Sequence, residues 1–219
     1  MSTPTPYLDC VLLAATVYPA GFSYSLHAAW RGAARAVSTS FLLFLALPFV
    51  TVAPAALVAR PDTFALRGTT ASLLCLAALA APVAMGVEYV IGALAAYEPG
   101  GRLLRGVTTQ AFWRGRLSPA GYSCLAVVVV GEEFFFRAVW LGTLRGPLGL
   151  PAALALAISS LAYGLNHLAF GRTAVASKTA AGLVYGGLYL LGGGSLYLPV
   201  VAHELQNVIL FRLAREHHA

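Results

Sequence analysis

Apolar runs of about 20 residues, parted by short breaks that carry arginine, recur along nearly the whole chain. A run of that length is what a helix needs to cross the hydrocarbon core of a bilayer. Backbone N–H and C=O groups find no water there, so each such run must satisfy them internally as a helix. Charge is scarce enough to make the point general. Of 219 residues, 10% are charged and 59% hydrophobic, where a soluble domain carries about 25% charged. A water-facing surface of ordinary size cannot be built from this chain. The spacing predicts an all-α, polytopic membrane bundle of about seven transmembrane helices, over 8–30, 36–58, 71–96, 120–144, 150–170, 175–191 and 196–214. The first is weakest, since Asp9, Pro19 and His27 fall in or near it, and the sixth is short. No polar stretch is long enough for a second domain, so 1–219 reads as a single transmembrane domain.

The breaks are chemically ordinary. Arg60-Pro61-Asp62, Gly146-Pro147 and Gly192-Gly193-Gly194-Ser195 read as turns. The formal charge of +6 does not signal nucleic-acid binding, because the basic residues punctuate apolar runs and do not gather on one polar segment. Alternating the seven segments puts Arg31, Arg35, Arg102, Arg105, Arg114, Arg116, Arg172, Lys178, Arg212 and Arg215 on one side, and Arg60, Arg67 and Arg145 on the other. The excess of positive loops marks the first side as cytoplasmic, with the N-terminus outside. Met1–Asp9 has no basic n-region, so insertion is expected to start from the first hydrophobic helix and not from a cleaved signal. Cys10, Cys75 and Cys124 are odd in number and lie among apolar residues; they are expected to be small buried hydrophobes with no disulfide framework.

Against this background three polar clusters stand out: Glu132-Glu133 with Arg137, then His167, then His203 with Asn207. An Arg or Asp at mid-bilayer costs roughly 2.5–3.5 kcal/mol, and ionisable groups there face one another or a wet cavity. Helical geometry sorts the first cluster. Glu133 and Arg137, four apart, point within roughly 40° of each other, whereas Glu132 points roughly 140° from Arg137. Glu133 is therefore expected to pair with Arg137 and leave Glu132 free for another helix. Around the Gly146–Gly149 turn, Glu132 and His167 lie at similar distances, roughly 25 Å of helical rise, so an antiparallel hairpin sets them at one depth where they can share a water. His203 and Asn207 share a face and supply imidazole and carboxamide donors for an oxyanion. His203 lies only about 12–16 Å from the preceding turn, shallower than the other two. Blander readings stand beside each cluster: an acidic pair at a helix end with Arg137 snorkelling, a satisfied core histidine, and an interhelical hydrogen-bonding patch. The zinc motif H-E-x-x-H fails at Asn207, and Glu88 reads as a lone buried carboxyl or an interface group. Gly182-x-x-x-Gly186 suits close helix packing.

The ordered set Glu132-Glu133-x-x-x-Arg137, Tyr163-x-x-x-His167 and His203-x-x-x-Asn207 resembles the CPBP family of intramembrane endopeptidases, which takes in CAAX prenyl proteases and bacteriocin-processing (ABI) proteins. The resemblance covers about residues 120–214 and implies a catalytic core at 119–214 with accessory helices over 1–118. Tyr163 stands where the family commonly has Phe, and Ala138 where Gly often follows the arginine. The resemblance implies a glutamate-type peptidase without a cofactor. In it Glu132 is general base on a water that His167 helps position, His203 and Asn207 stabilise the oxyanion, and Glu133 with Arg137 supports the site. It further implies membrane lipids and a protein or peptide as partners, the latter a prenylated C-terminus, a leader peptide or a C-terminal sorting anchor. The Ala, Leu, Gly and Arg bias points to a prokaryotic plasma membrane and to protein processing over prenyl trimming. Two other readings stay open on the residues: a zinc hydrolase with Glu132, Glu133, His167 and His203 as ligands, and a non-catalytic membrane protein such as a bacteriocin-immunity factor or small transporter.

Overall fold

A computed structural model describes residues 6–32, 38–59, 69–96 and 118–216, and all regular structure in them is helical. The order is α1 (Pro6–Ala15), α2 (Pro19–Arg31), α3 (Thr39–Ala59), α4 (Ala71–Ala95), α5 (Pro119–Glu133), a π-helical segment (Phe134–Leu141), α6 (Gly142–Arg145), α7 (Ala152–Leu165), a 3-10 turn (Leu168–Phe170), α8 (Arg172–Leu191) and α9 (Tyr197–Glu216). Local chemistry sets several ends. Ser118 caps α5 by accepting from the Gly121 amide at 3.1 Å, with Pro119 in the first turn where no N–H is missed. Thr70 caps α4 in the same way, through the Leu73 amide at 3.4 Å. The glycine turns foreseen from sequence form, with positive φ at Gly149, Gly193 and Gly194, a region open to glycine without a Cβ clash.

The expected first span is two helices, not one. Pro19 opens α2 after a break at Thr16–Tyr18, and helices of 10 and 13 residues rise only about 15 and 20 Å. Three described helices have the length and apolarity to cross a membrane: Thr39–Val58, Ala71–Ala95 and Arg172–Leu191. The expected fourth span is helical without a gap from 119 to 145, but widens into the π segment and carries three charges at its centre. The expected fifth stops at Leu165, short of a full crossing. Large apolar side chains face outward along the long helices, Leu43, Leu47 and Val50 on α3 and Leu79, Val83 and Val90 on α4 among them. An apolar exterior of this extent fits a lipid surround, and the chain is an integral membrane protein. Cys10 and Cys75 are part of that exposed surface and Cys124 is partly buried, which corrects the expectation of core cysteines: small size does not decide which face of a helix meets lipid. The loops carrying Arg35, Arg60, Arg67, Arg102, Arg105, Arg114 and Arg116, and the side chain of Arg215, lie outside the described residues.

In the packing, α7 lies along α8, α8 also meets α4, α4 meets α9, and α3 covers α5 with α2 beside it. One apolar core gathers Phe134, Phe135 and Phe136 with Leu141, Ala155 and Tyr163. A second gathers Ala77, Ala80 and Ala84 of α4 with Ala181 and Tyr185 of α8 and Leu198 and Ala202 of α9. The α7–α8 contact is a seam of small residues, which is how membrane helices approach without a hydrophobic driving force. A Cβ on Gly182 would come within 3.1 Å of the Ser160 backbone, and one on Gly164 within 2.6 Å of the Val175 carbonyl oxygen. Gly186 faces Leu156 along the same line. The Gly182-x-x-x-Gly186 spacing thus marks a real close approach. Elsewhere Gly131 receives the ring of Phe49 from α3.

Gly164→Ala should therefore force α7 from α8 and lower stability by about 1–3 kcal/mol. Gly187→Ala, with nothing within 4 Å of its new methyl, should leave stability unchanged or raise it slightly. Thermal unfolding of the two variants in detergent checks the contrast.

Candidate active site

Glu132 and Glu133 close α5 just before the helix widens, and both are buried. Glu133 is wholly enclosed. One of its oxygens accepts from Arg137 Nε at 2.9 Å, the i,i+4 pair expected from sequence, and the other faces His203 Nδ1 at 2.8 Å. Arg137 does not snorkel; it is fully buried, with its guanidinium 5.0 Å from the centre of the Tyr163 ring. The π turns were not foreseen, because an apolar run carries no periodicity that separates one widened turn from a regular helix. Their contacts are tertiary: the Ser159 hydroxyl of α7 donates to the Phe136 carbonyl, and Trp140 Nε1 donates to Thr16 Oγ1 at 3.1 Å.

Glu132 points the other way, into the space between helices. His167 Nε2 lies 3.7 Å from its Oε1 and His203 Nε2 lies 3.9 Å from its Oε2. Each separation exceeds a direct hydrogen bond and suits groups that share a small molecule. Glu132 and His167 meet at one depth across the α6–α7 turn, as their spacing from it led one to expect. His203 joins them because α9 begins close to their level. Tyr197, where α9 starts, is about 9 Å of helical rise from His203, against roughly 20 Å from Glu132 to the end of α6. The end of the turn before α9 is packed inside the protein, with Ser195 and Leu196 each 1% exposed.

Hydrogen bonds fix how the imidazoles present themselves. His167 Nδ1 is 3.0 Å from the Tyr163 carbonyl oxygen, which can only accept, so Nδ1 carries a proton; in the neutral ring it is then a bare Nε2 that faces Glu132. His203 gives its Nδ1–H to Glu133, stacks on the Tyr185 ring at 4.9 Å, and meets Tyr163 edge-on at 6.2 Å. Asn207 is buried one turn further along α9 and lines the same cavity. That cavity has a volume of about 710 Å³; Glu132, His167, His203 and Asn207 are on its wall, with Phe41, Leu42, Leu125 and Val128 forming an apolar side.

Some residues in or behind the wall were not assigned from sequence. Asn166 is fully buried beside His167; its Nδ2 lies 3.4 Å from Glu132 Oε1 and its Oδ1 accepts from the Ala20 amide at 2.7 Å. Its place inside the Tyr163–His167 stretch was the available signal. Glu88 is not a lone carboxyl: Lys178 Nζ of α8 pairs with it at 2.7 Å, and both line the cavity. Lys178, counted among loop charges in the sequence, sits within α8. An acid and a base on separate apolar helices were the clue. Glu204 is not on the cavity wall. Among the described residues no group of three or more His, Cys, Asp and Glu has the spacing of a metal site.

Residues 115–209 match the family model for Type II CAAX prenyl endopeptidase Rce1-like proteins. No curated protein and no solved structure matches the chain. The match spans somewhat less than half of the sequence, yet it takes in Glu132, Glu133, Arg137, His167, His203 and Asn207 together. The segment that holds this buried cluster is thus similar to the CAAX prenyl endopeptidases that the family model describes.

Proposed function

We propose that the protein is a CAAX-type intramembrane endopeptidase that uses Glu132 and His167 to activate water, without a metal. The observation that carries this reading is the convergence of Glu132 with two imidazole Nε2 atoms at 3.7 and 3.9 Å on the wall of one cavity. A water seated there gives one proton toward Glu132 and the other toward the bare Nε2 of His167, which turns an oxygen lone pair to the substrate. Glu132 takes the proton as the C–O bond forms at the scissile carbonyl. The oxyanion then meets His203 and Asn207. His203 donates from Nε2 once it carries two protons, and the Glu133 carboxylate at Nδ1 favours that form. With it, the guanidinium and the imidazolium balance the two carboxylates, so the cluster carries no net charge into a medium that penalises one. Collapse breaks the C–N bond, and Glu132 returns its proton to the leaving nitrogen.

The substrate we propose is a protein or peptide segment beside the membrane. Candidates are a prenylated C-terminus, which the description of the matching family names, a leader peptide, or a C-terminal sorting anchor. The apolar side of the cavity, from Phe41 and Leu42 to Val128, suits a lipid-like or transmembrane portion of such a chain. The proposed setting is a prokaryotic plasma membrane. A zinc hydrolase remains the rival chemistry because both histidines turn Nε2 toward one carboxylate.

Glu132→Gln should lower cleavage by roughly 10²–10⁴-fold while leaving the fold intact. Two readouts check it: turnover of a quenched farnesylated peptide by the purified protein, and comparison of membrane proteomes for proteins that keep a terminal fragment in the variant. Unchanged termini together with no turnover by the wild-type protein would favour a binding protein, and full turnover by the variant would remove Glu132 from the chemistry. Turnover should survive prolonged dialysis against a chelator; loss restored by zinc would favour the rival. Glu133→Gln should cost about 3–5 kcal/mol, because it strips the fully buried Arg137 of its counter-charge. The double change Glu133→Leu with Arg137→Leu should recover much of that stability, and none of the activity. Thermal unfolding beside the cleavage assay separates the two effects.

A further inference from the structure

The helix α2 lies outside the segment matched by the family, yet its first turn is tied to the site through the side chain of Asn166. Its N-cap residue, Tyr18, makes no side-chain hydrogen bond to the helix. The first turn of any helix leaves its amides without partners. Here the Ala20 amide is buried and gives its proton to Asn166 Oδ1 at 2.7 Å. A backbone amide only donates, so the oxygen of the Asn166 carboxamide must face Ala20, and Nδ2 must face the other way. It faces Glu132 Oε1 at 3.4 Å. One fully buried carboxamide therefore closes α2 at one end and holds the Glu132 carboxylate at the other.

A second set of contacts joins the same parts. Phe170, three residues after His167, meets Tyr24 of α2 edge-on at 5.6 Å and Phe41 of α3 at 6.5 Å, while Tyr24 and Phe41 meet at 6.3 Å. Phe170 also lies 6.1 Å from the His167 ring. The turn that carries Asn166 and His167 is thus clamped from the N-terminal side by a hydrogen bond and an aromatic cluster.

We infer that Asn166 is a positioning residue: it orients the Glu132 carboxylate and anchors that orientation to α2, making the N-terminal helices part of the active site. This rests on Glu132 being the reacting carboxylate, as proposed above. Glu132 oxygens face His167 and His203 beyond direct hydrogen-bond reach, and the neutral Asn166 amide holds Oε1 without adding charge. It keeps the carboxylate from rotating toward either ring, and leaves Oε2 and the proton-accepting lone pairs free.

The test uses two substitutions that cut the link at different points. Asn166→Asp has the same shape, keeps an oxygen for Ala20, and replaces the donor facing Glu132. Asn166→Leu removes both ends. Hydrogen exchange in the full-length protein should show the Ala20 amide protected in wild type and Asn166→Asp, and faster in Asn166→Leu. Turnover of the quenched farnesylated peptide should show kcat lower by roughly 10–100-fold in both, with KM little changed, the cost of losing one hydrogen bond to a charged group. The Glu132 carboxylate stretch, isolated in infrared spectra by subtracting Glu132→Gln, should shift in both variants, a readout that needs neither turnover nor a known substrate. Wild-type kcat in Asn166→Asp, an unmoved carboxylate band, or unchanged Ala20 exchange in Asn166→Leu would overturn the inference. Full activity in Glu132→Gln would instead overturn the catalytic reading beneath it.

Discussion

The Glu133 carboxylate is the interaction on which the centre of this protein depends. It is wholly buried, takes the Arg137 guanidinium on one oxygen and the His203 imidazole on the other, and so joins the α5 region to α9. Arg137 in turn lies over the Tyr163 ring and brings in α7. Three charged or chargeable groups can sit in an apolar bundle only because each neutralises or hydrogen-bonds another; alone, any of them carries the full cost of leaving water.

Two adjacent residues of one type acquire opposite roles from this arrangement. Glu133 has both oxygens committed at 2.8 and 2.9 Å. Glu132 has looser neighbours at 3.4, 3.7 and 3.9 Å and an open cavity before it. The proposed mechanism needs both: a group that receives a proton must have lone pairs to spare, and one that holds a scaffold must not. The roughly 100° turn between consecutive helical residues is what separates the environments.

The remainder of the fold serves to bring that centre to one level. The Gly164 and Gly182 contacts let α7 and α8 approach closely, which sets His167 beside α5. The chain turns inward at Ser195 and Leu196 and starts α9 near the same level, which explains how His203, so few residues past a turn, reaches Glu132. The elements before residue 115 complete the wall: Tyr24 from α2, Phe41 from α3 and Glu88 from α4 all line the cavity.

Much of this was legible in the chain. Scarce charge and long apolar runs dictate membrane helices, since lipid leaves the backbone no other partner. The Glu133–Arg137 pair and the shared face of His203 and Asn207 follow from four-residue spacing, and the glycine turns from the conformations only glycine adopts freely. Local periodicity ended there. It took the first two helices for one span, put Cys10 and Cys75 inside, left Glu88 alone, and gave Asn166 no part. Spacing along one helix fixes directions relative to its own axis, so it cannot say which neighbour arrives or how closely. The Glu133–His203, Glu88–Lys178 and Ala20–Asn166 contacts span 70, 90 and 146 residues. Only the packed bundle decided them, through small-residue seams that set the distance between axes and turns that set the depth at which each helix begins.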